Sequence, residues 1–182
     1  METSAVRIEP PRENDCDIVR DPLPTQGLLD FRVIELLFFA YREFTADADS
    51  ILVRYGFGRA HHRVLHFVNR APGLTIAELL DILQITKQSL SRVLRQLIDE
   101  NFVVQIPGDE DRRQRRLYPT EKGRKLAVEL SRAQVRRIDA ALTMTSDEDM
   151  RPIAAFLKAM ASDREAARDW FERQDISWKD PE

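Results

Sequence analysis

Residues 74–126 read LTIAELLDILQITKQSLSRVLRQLIDENFVVQIPGDEDRRQRRLYPTEKGRKL. From Thr86 to about Glu100 the apolar residues Leu90, Val93, Leu94, Leu97 and Ile98 fall at i, i+3, i+4, i+7 and i+8, the single stripe of an amphipathic helix. Turning away from that stripe puts Gln88, Arg92, Arg95 and Asp99 on the opposite side. Thr86 reads as the N-cap, and Lys87, Gln88 and Ser89 fill the first turn. Upstream, Ile76, Leu79, Leu80 and Leu83 give a supporting helix its buried stripe, and Leu83-Gln84-Ile85-Thr86 supplies a tight turn between the two. A solvated amphipathic helix in any helical protein would share this pattern, so the next segment carries the distinction.

Phe102 to Ile106 form a short run rich in β-branched residues, Pro107-Gly108 starts a turn, and Arg115 to Tyr118 can return as the partner strand. The loop between them holds Asp109, Glu110 and Asp111, then Arg112 and Arg113, with Arg115 and Arg116 just beyond. Four arginines in five positions repel one another unless an anion faces them. A phosphate backbone or the electronegative floor of a narrow minor groove meets that need, whereas a solvated charged hairpin leaves the clustering unexplained. Helix, turn, helix and basic hairpin in this order predict a mainly α fold with a small β-wing, built around a winged helix-turn-helix DNA-binding lobe. Arg and Gln on a recognition helix can make bidentate contacts to guanine and adenine in the major groove. The residues expected at DNA are Thr86, Lys87, Gln88, Ser89, Ser91, Arg92 and Arg95 on the helix, with Arg112, Arg113 and Arg115 on the wing.

The stretch resembles the MarR family of bacterial transcription regulators, in the order supporting helix, recognition helix, wing and Thr-x-x-Gly helix start, here Thr120 and Gly123. The resemblance extends from Leu28 to about Phe171. Its most specific piece is Asp-x-Arg at the wing tip, Asp111-Arg112-Arg113. It implies that Arg113 enters the minor groove while Asp111 orients it. Gln84 departs from the Gly common in such turns and must accept a left-handed or nearly left-handed backbone, at a cost of about 1 kcal/mol.

At 182 residues, with 43% apolar and 32% charged residues, the chain has ordinary globular composition. No run reaches the length of a membrane span and no signal peptide opens the chain, so a cytoplasmic protein with no membrane partner is expected. One cysteine leaves no internal disulfide. The net charge of −3 is segregated along the chain. Residues 84–125 carry ten Lys and Arg against six Asp and Glu, whereas residues 1–30 carry seven acids against three arginines. DNA affinity follows the local patch.

Residues 1–25 hold Pro10, Pro11, Pro22 and Pro24 among charges and read as a loosely ordered arm. The single domain then runs over 26–173, with 58–119 as the winged lobe, 28–54 and 120–173 as dimerisation helices, and 174–182 as a tail. Leu36 to Tyr41 is apolar or aromatic at every position, more than one neighbouring face covers. A helix from Thr120 to about Thr143 is followed by one beginning near Asp149, which tolerates Pro152 in its first turn and presents Ile153, Phe156, Leu157, Met160, Trp170 and Phe171. The resemblance implies that first and last helices of two subunits interleave into a homodimer, matching a pseudo-palindromic operator; an intramolecular bundle is the alternative.

His61, His62 and His66 crowd one helical segment, with His62 and His66 at i, i+4. That spacing suits zinc or haem, but two ligands do not complete a site, so no metal and no cofactor is assigned. The resemblance places the segment along an effector cavity, and a small aromatic compound is the effector class it implies. Cys16 lies between Asp15 and Asp17, whose charges suppress a reactive thiolate and argue against redox sensing. No nucleophile-base pair, phosphate-binding glycine loop or paired carboxylates indicate an enzyme. A winged helix serving protein docking would carry a hydrophobic or acidic wing, and this one is arginine-rich.

Overall fold

Three threonines set the helix starts that matter for the site. Thr75 Oγ1 accepts the Glu78 N–H (3.2 Å), Thr86 Oγ1 the Ser89 N–H (3.2 Å) and Thr120 Oγ1 the Gly123 N–H (3.0 Å). Each satisfies a donor that the first helical turn leaves orphaned, worth about 1 kcal/mol. The computed structural model describes residues 31–108, 114–144, 150–161 and 164–174. The N-terminal arm, Cys16, the wing-tip residues Asp111, Arg112 and Arg113, and Asp149 lie outside the described residues.

The elements in chain order are α1 (Phe31–Leu52), a 3-10 turn (Val53–Tyr55), α2 (Arg59–Arg70), β1 (Leu74–Thr75), α3 (Ile76–Leu83), α4 (Lys87–Asp99), β2 (Val103–Pro107), β3 (Arg115–Pro119), α5 (Glu121–Thr143), α6 (Met150–Ala161) and α7 (Glu165–Arg173). The chain divides after Phe38. Of the first unit the described part is the opening of α1, where Val33, Ile34, Leu36 and Phe38 are exposed.

In the second unit the helix-turn-helix forms as the sequence predicts. Leu79 and Leu83 of α3 and Leu90, Val93, Leu94 and Leu97 of α4 are buried, with Ile76, Leu80 and Ile98 packed partly against them. Gln84 takes up the left-handed conformation (φ 51°, ψ 46°), stabilised where its Nε2 donates to Asp81 O (2.6 Å). β2 and β3 pair antiparallel from Val103 opposite Pro119 to Pro107 opposite Arg115. β1 adds a third strand on the far side of β3, with Leu74 opposite Leu117 and Thr75 opposite Arg116. Two residues are too few to show alternation, so periodicity gave no sign of this strand.

The core gathers around α2, whose Val64, Leu65 and Val68 are fully buried together with Leu52 of α1, Val103, Leu117 and Leu130 of α5. The Thr-x-x-Gly start of α5 has a packing cause. Gly123 is buried so close to Phe102 that a Cβ there would stand 2.0 Å from the Phe102 carbonyl oxygen. α5 can approach the entry to β2 only without a side chain at that position.

The final helix differs from its expected form. One helix was expected from near Asp149 through Phe171, yet α6 ends at Ala161 and α7 begins at Glu165, with Arg164 extended (φ −103°, ψ 131°). The break turns Trp170 inward: it is 8% exposed, and its ring meets Phe67 of α2 edge-on at 4.8 Å. Trp170 is therefore consumed within its own chain, while Ile153, Phe156, Leu157 and Met160 of α6 remain exposed. Among the described residues no helix is long and apolar enough to cross a membrane.

Candidate nucleic-acid interface

Because the apolar stripe of α4 is committed to the core, its other side is left to solvent. Lys87, Gln88, Ser91, Arg92 and Arg95 are all exposed and line one open surface. Thr86 and Ser89 serve the helix end: the Thr86 hydroxyl accepts the Ser89 N–H and donates to Ser89 Oγ (3.0 Å). Ser89 is half-buried.

Several arginines elsewhere in the molecule pair with carboxylates: Arg59 with Asp49 (2.8 Å), Arg137 with Asp47 (2.9 Å), Arg173 with Glu78 (3.2 Å), and Arg54 with Glu129. Among the described residues no carboxylate pairs with Lys87, Arg92, Arg95 or Arg115. Unpaired cations on one face create a local positive potential that an acidic net charge does not cancel at short range. The wing's arginines divide in role. Arg115 is exposed at the start of β3, whereas Arg116 donates from Nη1 to Gly73 O (3.2 Å) and ties the wing to the loop before β1.

The three histidines separate as well. His61 Nδ1 accepts the Gly58 N–H (3.1 Å), and its Nε2 lies 2.9 Å from Gln96 Oε1 on α4, so both ring nitrogens are engaged. His62 and His66 are half-buried. Burial holds both below the ordinary histidine value, and the charge of His62 and then Arg70 lowers His66 further. Among the described residues no group of three potential ligands surrounds them. His66 borders a pocket between α2 and α5, with Asn69, Arg70, Arg124 and Arg132.

Comparison with known proteins agrees with this arrangement. The MarR family model matches residues 55–114, from the end of the 3-10 turn into the wing. Over 127 residues the chain is 50% identical to the HTH-type transcriptional regulator PetP of Rhodobacter capsulatus, covering 70% of this chain and 76% of that one. The chain belongs to the MarR family. A MarR transcriptional regulator from Methanosarcina mazei Go1 superposes with TM-score 0.60 at 25% identity, covering 72% of this chain and 88% of that one. The fold is shared with MepR of S. aureus in its DNA-binding conformation, at TM-score 0.62 and 22% identity over 72% of this chain and 98% of that one. This MarR protein is accordingly a DNA-binding transcription regulator with a winged helix-turn-helix.

Several site features of this MarR chain escaped the sequence. Arg63 donates from Nη2 to Leu83 O (2.7 Å), holding the C-terminal end of α3. Asn69 donates to Leu65 O (2.8 Å) and leaves a buried Oδ1 without a partner among the described residues. Gln96 falls between the stripe and the exposed face and carries no signature. Such contacts depend on where long side chains reach across helices, which periodicity along one helix does not encode.

Proposed function

We propose that the chain binds a pseudo-palindromic duplex operator as a homodimer, with α4 in the major groove and the wing along the flanking minor groove. The observation that carries this reading is the exposed, uncompensated row Lys87, Gln88, Arg92 and Arg95 on a helix whose opposite side is locked in the core. Gln88 and Arg92 read base edges, Lys87 and Arg95 meet phosphates, and Arg113, oriented by Asp111, enters the minor groove. Arg112 and Arg115 add phosphate contacts at the wing.

Support for the homodimer comes from apolar side chains that one chain leaves in water. Leu36, Phe38, Phe39 and Tyr41 of α1 are each more than half exposed, and α6 offers Phe156, Leu157 and Met160. Large apolar side chains left in water in such number are uncommon on a monomer, and in this reading a second copy covers them. The experiment is selection from random duplex DNA with the full chain. It is expected to recover an inverted repeat with half-sites about one helical turn apart. Recovery of no sequence preference would contradict the reading.

The pocket between α2 and α5 supports an effector. Ala127, Val128 and Val135 give it an apolar wall, and Arg70, Arg124 and Arg132 give it cationic groups. That lining suits a small aromatic acid. Titration calorimetry with aromatic carboxylates should show binding that Arg124→Ala/Arg132→Ala abolishes; equal heats from both proteins would refute it.

A further inference from the structure

We propose that His61 is a positioning residue for sequence readout, pinning α4 to the start of α2 so that Gln88 and Arg92 meet base edges in one fixed rotation. The inference rests on the reading that α4 lies in the major groove. Gly58 caps α2 and offers no side chain, so the third residue of the helix supplies the missing bond: Gly58 N–H donates to His61 Nδ1 at 3.1 Å. With Nδ1 accepting, the ring proton sits on Nε2, which donates to Gln96 Oε1 at 2.9 Å. Gln96 cannot present its other end, because its Nε2 donates to Glu100 Oε1 at 3.0 Å. The imidazole plane is fixed too. It stacks on Phe57 at 4.7 Å and 4°, and Phe57 is buried edge-on against Phe102 at 5.1 Å.

The contact between α2 and α4 is otherwise apolar, and apolar contact is non-directional. It resists separation of two helices better than rotation of one about its axis. A hydrogen bond of fixed length resists rotation. Gln88, Arg92 and Gln96 stand four residues apart, along one side of α4, so a turn permitted at Gln96 passes rigidly to both reading residues. A rotation of about 20° would carry a group about 6 Å from the helix axis by about 2 Å, beyond the tolerance of a bidentate base contact. α2 holds the other arm of the helix-turn-helix as well, through the Arg63 bond to Leu83 O. The angle between α3 and α4 is thereby set from a helix that touches no base.

The test compares full-length wild type, His61→Asn, Gln96→Met and the double variant. Melting temperature is measured together with affinity for the operator recovered by selection and for a scrambled duplex. Asn Oδ1, like the imidazole Nδ1, sits one bond from Cγ, so His61→Asn keeps the Gly58 bond but cannot reach Gln96. It should melt near the wild-type temperature and lose operator-over-scrambled discrimination on the order of tenfold, with scrambled affinity unchanged. Gln96→Met should do the same, and the double variant should lose no more than the worse single one. Unchanged discrimination in both single variants, or losses that add, would overturn the assignment of His61 alone. A wild type that prefers no sequence would overturn it together with the reading beneath it.

Discussion

Gly123 shows how one residue ties a helix to a sheet. Its hydrogen occupies the only space between α5 and the Phe102 carbonyl, where a methyl carbon would come to 2.0 Å. Backbone on both sides of the contact cannot swing away as a side chain would. Gly123→Ala should therefore cost at least about 3 kcal/mol by urea denaturation, at the upper end of what overpacking does. A loss under about 1 kcal/mol would mean that α5 can shift. His62 and His66 make the second case. Burial depresses both below an unfolded value of about 6.5, so the folded chain resists the protons that the unfolded chain accepts. The stability they leave intact is complete above that value and declines as pH falls through it toward the depressed folded values. Melting at pH 7.5 and 5.5 should show a larger loss for wild type than for His62→Gln/His66→Gln. Parallel losses would place the acid sensitivity elsewhere.

Among the elements, α4, the wing strands and α5 were legible because each repeats its signal over many residues. α4 has five apolar positions at helical spacing behind a threonine cap, and α5 runs from Thr120 as expected to Thr143. The left-handed turn at Gln84 was expected from the glycine that many helix-turn-helix proteins carry at this position, and Gln84 adopts it (φ 51°). β1 was not, since a two-residue strand exists only through its pairing with Leu117 and Arg116. The division of the last helix was missed for a related reason. The apolar residues of 153–171 keep a helical rhythm across the break, and it is the burial of Trp170 against Phe67 that distinguishes α7 from α6. α7 is consequently a docked element whose anchor can be removed. Trp170→Ala should release it, seen as loss of amide protection over residues 165–173 in hydrogen exchange. Arg173→Ala removes only a largely exposed pair with Glu78 and should change stability by less than about 1 kcal/mol. Equal protection in Trp170→Ala and wild type would show that α7 is held by something other than the indole.

For the molecule as a whole, segregated charge and uncovered apolar surface have a common explanation in the proposed two-fold DNA-bound assembly. Phe38 and Phe156 are 70% and 48% exposed, and both belong to the surface assigned to the second copy. Sedimentation of wild type at micromolar concentration should give a dimer, and Phe38→Asp/Phe156→Asp should give monomer or unfolded chain, since a buried unpaired charge costs several kcal/mol. A folded wild-type monomer at that concentration would remove the interface. The decisive quantity is the ratio of affinities for the selected operator and a scrambled duplex of equal length, measured for wild type and for Gln88→Ala/Arg92→Ala across several salt concentrations. Two bidentate base contacts per subunit are worth about 1–3 kcal/mol each, so the double variant should lose at least tenfold in that ratio while binding scrambled DNA nearly as wild type does. An unchanged ratio, or equal loss on both duplexes, would contradict sequence readout by α4.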